Sequence, residues 1–199
     1  MSNREKFLEE KIREISNEKR VFDIGSGGSR FQGLEIYKDF FRDCEYKTID
    51  IRPELNPDIV ADIHNLPLKD GSADAVICKS VLQFARNPFA AAGEIFRILK
   101  PGGKCLLYLP FIYPYHGNGG MLKDYWRFSV DGIGELFSKF KKIEVCPVKG
   151  RFETAVNVLP LQEGLLRKLF INPARFLDAL TSKRQSGRQA AGYLVYLEK

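Results

Sequence analysis

The chain has 199 residues, 44% apolar and 28% charged, which is an ordinary balance for a soluble globular protein and enough to bury one full core. No apolar run approaches the roughly 18 residues of a spanning helix, and residues 1–20 are too charged for a secretory signal, so neither is expected. The net charge of +6 lies wholly in residues 141–199, where eleven basic side chains face five acidic ones; such a surface attracts phosphate, anionic lipid or nucleic acid.

The first expected element is an amphipathic helix over 3–19, with Phe7, Leu8, Ile12 and Ile15 at helical spacing. A strand over 20–25 follows and runs directly into Gly25-Ser26-Gly27-Gly28-Ser29. Glycine turns a backbone sharply and lets a ligand approach it, so a strand feeding such a turn is a cradle for a nucleotide-like group. Arg30 stands where the dinucleotide fingerprint needs a small residue, and no Gly-Lys-Ser/Thr follows, so neither a dinucleotide nor a P-loop is indicated. A short helix is expected within 31–42, strands over 45–51 and 58–63, and turns at Leu66-Pro67 and Lys69-Asp70-Gly71. Residues 73–79 (ADAVICK) read as a strand buried on both faces. A helix over 87–99 ends at Pro101-Gly102-Gly103, and a strand over 104–109 follows. A helix over 130–140, a strand over 142–148, an apolar and basic helical region over about 153–182 and a last strand over 192–198 complete the chain. Strands alternating with helices argue for a doubly wound, mostly parallel sheet. The four cysteines form no C-x-x-C pair and lack histidine at ligand spacing; they read as reduced thiols of a cytoplasmic protein, and no metal site is expected.

Four segments occur in a telling order: VFDIGSGGS; Asp50 at the end of the second strand; ADIHNLPLKDGSADAVICKSVLQF; and EIFRILKPGGKCLLYLP. Together, over about residues 20–140, they resemble the class I S-adenosylmethionine-dependent methyltransferases, in particular their small single-domain, type 11-like members. The resemblance implies a single domain over 1–199 with a Rossmann-like, seven-stranded, mostly parallel sheet. Its last strand is antiparallel and inserted between the fifth and sixth, with the helix over 3–19 in front and 153–182 as a lid-like insertion. It implies S-adenosyl-L-methionine as cofactor, held by Asp23, Gly25, Gly27, Ser29, Asp50, Ile51, Asp62, Ile63, Lys79 and Ser80. In that scheme Asp23 holds the ammonium end and Asp50 accepts from both ribose hydroxyls. Asp62 with Ile63 holds the adenine, and Lys79 and Ser80 line the methyl end.

After the fifth strand come Pro110-Phe111-Ile112-Tyr113-Pro114-Tyr115-His116 and Asp124-Tyr125-Trp126-Arg127-Phe128-Ser129. The pattern P-x-x-x-P-x-H … D-Y-x-R-F-[ST] resembles a subset of the same family and lies where the acceptor would meet the methyl group. His116 is the candidate proton acceptor, with Asp124, Tyr125 and Arg127 shaping or charging the pocket. The alternative is structural, an Arg127–Asp124 pair with Tyr125 and Trp126 packed under the loop. Residues 153–182 read as a lid, a membrane-surface segment, or a core or dimer contact. The leading expectation is methyl transfer to oxygen or nitrogen of a small or lipid-linked acceptor. The alternatives are an RNA or protein methyltransferase docking through the basic C-terminal region, and a non-catalytic S-adenosylmethionine-binding protein. Nucleic acid ranks behind a small-molecule partner, and peripheral membrane contact and a monomer or homodimer stay open.

Overall fold

The computed structural model describes residues 2–27, 34–117, 120, 122–159, 165–181 and 187–199. The strands are β1 (Arg20–Ile24), β2 (Glu45–Asp50), β3 (Ile59–Val60), β4 (Ala73–Lys79), β5 (Leu99–Pro110), β6 (Lys142–Val148) and β7 (Gly192–Glu198). They form one seven-stranded sheet in the order β3-β2-β1-β4-β5-β7-β6. β1 to β5 pair in parallel, while β7 runs antiparallel to both neighbours, Leu107 facing Val195 and Val145 facing the same residue from the other side. This is the expected doubly wound sheet, with the inserted antiparallel strand where the family resemblance implied it.

Apolar layers cover both faces. On one side α2 (Pro88–Ile98) and α3 (Val130–Leu136) bury Ile95, Ile98, Ile133 and Leu136 against Leu107 and Val195. On the other, α1 (Asn3–Ser16) and a 3₁₀ helix (Glu35–Phe41) set Ile12, Ile15, Tyr37 and Phe41 against Ile77, Leu106 and Tyr196. α1 starts at a capping box in which Ser2 accepts from the Glu5 N–H and Glu5 accepts from the Ser2 N–H. Lys11 pins it to the sheet: its ammonium lies 3.2 Å from Glu144 on β6 and 4.6 Å above the Tyr196 ring on β7.

Several boundaries differ from the sequence reading. α1 stops at Ser16, and Glu18 beyond it takes Lys100 and Lys104 as partners. The helix over 31–42 is, in its described part, a 3₁₀ helix. β3 shrinks to two residues because only Ile49 and Asp50 of β2 offer it a ladder; Asp58 then ties back to Thr48 by accepting its N–H and its hydroxyl, each at 2.8 Å. α3 ends at Leu136. β5 begins at Leu99, since the Pro101-Gly102-Gly103 turn is carried inside the strand: Gly102 sits at φ +73° and donates to the Lys199 carbonyl. Within 153–182, α4 (Arg151–Val158) and α5 (Leu165–Thr181) pack as a hairpin, with 160–164 and residue 182 outside the described residues. Asp178 of α5 caps α4 by accepting from the Phe152 and Glu153 N–H groups, and Arg175 pairs with Glu153. β1, β2, β4, β5 and β6 all end on one edge of the sheet, and the α4–α5 hairpin leaves from that edge.

Candidate active site

β1 continues to one side of the sheet and β4 to the other, and the two are neighbours. Strand order reverses between them, and ligands of open α/β sheets sit outside the carboxyl ends at that point. A cavity of about 550 Å³ lies there, lined among others by Gly25, Asp50, Ile51, Asp62, Ile63, His64, Ser80, Val81 and Tyr125. Its size suits a cofactor-scale molecule. Gly25 has φ +74°, and a Cβ on it would collide with Val81, so only bare backbone fits this wall. Ser80 at the end of β4 is also left-handed, at φ +57°, a strained state for a residue with a side chain, and such strain clusters at functional sites.

Two buried carboxylates stand at the strand ends in opposite electrostatic states. Burial pushes the Asp23 carboxyl up to about 6, against the opposing pull of the Tyr46 hydroxyl, which donates to it at 2.7 Å, and of Lys79. Burial also acts on Asp50, but its N–H donors prevail and hold it below the usual range. These are the Arg52 backbone and guanidinium and the Gly27 N–H, at 3.0 to 3.2 Å. Burial lowers the Lys79 ammonium, with Asp23 opposing. Asp62 accepts from the His64 backbone N–H and lies 2.6 Å from His64 Nδ1. The other ring nitrogen, Nε2, accepts the Asn87 N–H, so the hydrogen-bond network places the neutral ring's proton on Nδ1, facing Asp62. Asn87 in turn caps α2 through the Phe89 and Ala90 N–H groups.

A second cavity, of about 60 Å³, adjoins the first through Ser80, which lines both. Gln83, Tyr108, Pro110, Tyr113, His116, Asp124 and Arg127 complete its wall. Arg127 donates to both oxygens of Asp124 and to the carbonyls of Tyr113, Pro114 and Trp126. Asp124 also accepts the His116 N–H at 2.7 Å, and its carboxyl is held low, by Arg127 first. This pair therefore shapes the loop, and its charges cancel. The Trp126 indole donates to the Ala85 carbonyl, and the Tyr125 and Trp126 N–H groups to that of Gln83. The His116 ring is exposed beside Phe84 and Tyr113.

Residues 22–107 match the family described as a methyltransferase domain. This match and the fold support a class I S-adenosylmethionine-dependent methyltransferase. It is 32% identical over 188 residues, 84% of its own length, to an uncharacterised 37.1 kDa protein in transposon TN4556 of Streptomyces fradiae. It is 34% identical over 96 residues, 45% of its length, to the tRNA (carboxymethyluridine(34)-5-O)-methyltransferase ALKBH8 of Macaca fascicularis. The chain spans only 52% of the first relative and 14% of the second. Its fold is that of a SAM-dependent methyltransferase from Archaeoglobus fulgidus, with TM-score 0.62 at 14% identity over 97% of this chain and 91% of that one.

Of the cofactor residues expected from the sequence, Gly25, Asp50, Ile51, Asp62, Ile63 and Ser80 lie on the wall of the larger cavity. Asp23, Gly27 and Lys79 do not, and Ser29 lies outside the described residues. Of the acceptor-side residues, His116, Asp124 and Arg127 border the small cavity and Tyr125 the large one. The residues present fit an adenosyl group: a bare-backbone turn, a carboxylate at the end of β2 and an apolar wall. Sequence reasoning missed Arg52 and the His64–Asp62 pair. The adjacency of Asp62 and His64 in ADIHN was the one signal that pointed to the latter.

Proposed function

We propose that this chain binds S-adenosyl-L-methionine in the larger cavity and transfers its methyl group to oxygen or nitrogen of a small or lipid-linked acceptor. The observation that carries this reading is the cavity at the strand-order reversal, with a glycine wall at Gly25 and Asp50 at the neighbouring strand end. Asp50, already low in pKa, accepts from the ribose hydroxyls, with Arg52 yielding part of its hold. Asp62 accepts from the adenine amine through the oxygen that His64 does not take. Asp23 supplies negative charge for the ammonium end. The cofactor, when bound, brings an activated sulfonium methyl, so the protein's task is alignment, exclusion of water and relief of one proton. The His116 ring, at the rim of the small cavity, is the group in place to accept that proton.

An apolar stripe favours an acceptor with an apolar part. α5 exposes Leu169, Phe170, Phe176, Leu177 and Leu180 on one side and buries Ile171 and Ala174 on the other. Together with the basic surplus of 141–199, this suits a lipid-linked substrate at an anionic surface. A second reading, RNA as acceptor, is favoured by the identity to a tRNA methyltransferase over 96 residues and by the same charge surplus. Calorimetry with S-adenosylmethionine, followed by transfer of its labelled methyl group to separated metabolite, lipid and RNA fractions, tests all of this. Label in metabolites or lipids supports the proposal, label in RNA replaces it with the second reading, and binding without transfer marks a non-catalytic binder.

A further inference from the structure

Gln83 has 3% of its surface exposed, and its Oε1 is buried with no hydrogen-bond partner among the described residues. A buried carbonyl oxygen left unpaired is costly, and native folds keep few of them. Gln83 belongs to the short 3₁₀ turn after β4 (Leu82–Phe84), and its backbone is fixed by the Tyr125 and Trp126 N–H groups, which donate to its carbonyl at 2.8 and 3.2 Å. Gln83 lines the small cavity together with Ser80, the residue shared with the cofactor-sized one.

The rest of that wall narrows what can enter. The N–H groups of Arg127 are spent on Asp124 and on three carbonyls, so among the described residues of this wall no guanidinium or ammonium N–H is left for a carboxylate or phosphate. Asp124 is spent on Arg127 and the His116 N–H, so among the described residues of this wall no anion is left for an ammonium. The Tyr108 phenol, pushed up to about 12 by burial, stays protonated and uncharged at neutral pH. A volume of about 60 Å³ holds a few water-sized groups and no nucleobase.

We infer that this small cavity is the subsite for the acceptor's reacting end, and that it takes an uncharged hydrogen-bond donor, a hydroxyl or neutral amine, which donates a hydrogen bond to Gln83 Oε1 on binding and releases its proton to His116 only on transfer. The inference rests on the methyltransferase reading above. It makes Gln83 a substrate-binding residue that selects against carboxylates and ammonium groups and sets the acceptor atom beside Ser80, where the two cavities meet. The same donor chemistry is carried by a free alcohol or by a hydroxyl-bearing lipid head group.

The test uses the full chain and Gln83→Met, which keeps side-chain volume and removes the amide. S-adenosylhomocysteine affinity is measured first by calorimetry. Side-chain amide NMR is then followed with 1-propanol, ethylammonium and acetate in solution, and with phosphatidylglycerol vesicles as the lipid-borne hydroxyl. Three results are expected together: homocysteine-nucleoside affinity within twofold of the parent, a thermal midpoint equal to or above the parent's, and a response of the Gln83 amide to propanol or to the vesicles and not to acetate or ethylammonium. A lowered midpoint would show a structural partner for Gln83 and overturn the subsite, as would an acetate or ethylammonium response, or no response at all. Failure of the parent to bind S-adenosylhomocysteine would instead overturn the cofactor reading itself.

Discussion

Asp23 and Asp50 lie one strand apart and are both almost wholly buried, yet the first is raised to about 6 and the second lowered. The difference is donors: one hydroxyl for Asp23, four N–H contacts for Asp50. Because the folded Asp23 holds its proton above the ordinary 3.8, its contribution to stability is full below that value and is lost as pH rises to about 6. Ligand binding runs the other way. An ammonium group favours the ionised carboxylate, so cofactor affinity should fall by roughly tenfold per pH unit below 6 and level off above it. Calorimetry across pH 5–8 checks this, and Asp23→Asn, which keeps the Tyr46 hydrogen bond, should flatten the profile. Asp50→Ala should weaken S-adenosylhomocysteine binding at least tenfold, about 1.5–3 kcal/mol, the range for hydrogen bonds to a charged group; unchanged affinity would remove Asp50 from the site. Asp50 was singled out in the sequence through the family resemblance, as the acidic residue at the end of the second strand, and it lines the larger cavity. Gln83 was not, because an unpaired oxygen is a property of three-dimensional packing and leaves no spacing signal.

Arg127 shows what one element-level device does. Its planar fork gathers Asp124 and the carbonyls of Tyr113, Pro114 and Trp126 into one knot, and so fixes the loop after β5 without regular secondary structure. Arg127→Lys keeps the charge and loses most of the donors. It should cost about 2 kcal/mol in urea unfolding and speed proteolytic cleavage within 113–127, with little change in cofactor affinity. The D-Y-x-R-F-S pattern marked this segment in the sequence, but the choice between a charged pocket and a brace depended on where the carbonyls of 113–114 fall. Strand cores were legible because ADAVICK and GYLVYLE each fit one reading. β3 and the start of β5 were not, because a two-residue ladder depends on its partner and a Pro-Gly-Gly turn reads as a break even where the neighbouring Lys199 backbone bridges it.

At the scale of the molecule, the α4–α5 hairpin is the one region among the described residues whose outer side is apolar over several turns. Phe176 and Leu180 are 65% and 66% exposed. Replacing both with Ser should therefore change unfolding free energy by less than about 0.5 kcal/mol each, the usual range for surface substitutions. The same change should reduce co-sedimentation with phosphatidylglycerol vesicles, and salt should do likewise by screening the basic side chains. A large loss of stability would assign the stripe to the core of a dimer instead.

The inserted strand β7 sets an order of assembly. β5 and β6 do not pair with each other; both pair with residues 192–198, β5 along the edge that faces away from β4. During synthesis both strands emerge with a bare hydrogen-bonding edge, and neither can be capped until residues 192–198 have left the ribosome. The nascent chain thus carries two adhesive borders that a late-arriving segment must zip together, so its slow and aggregation-prone stage is the wait for that last strand.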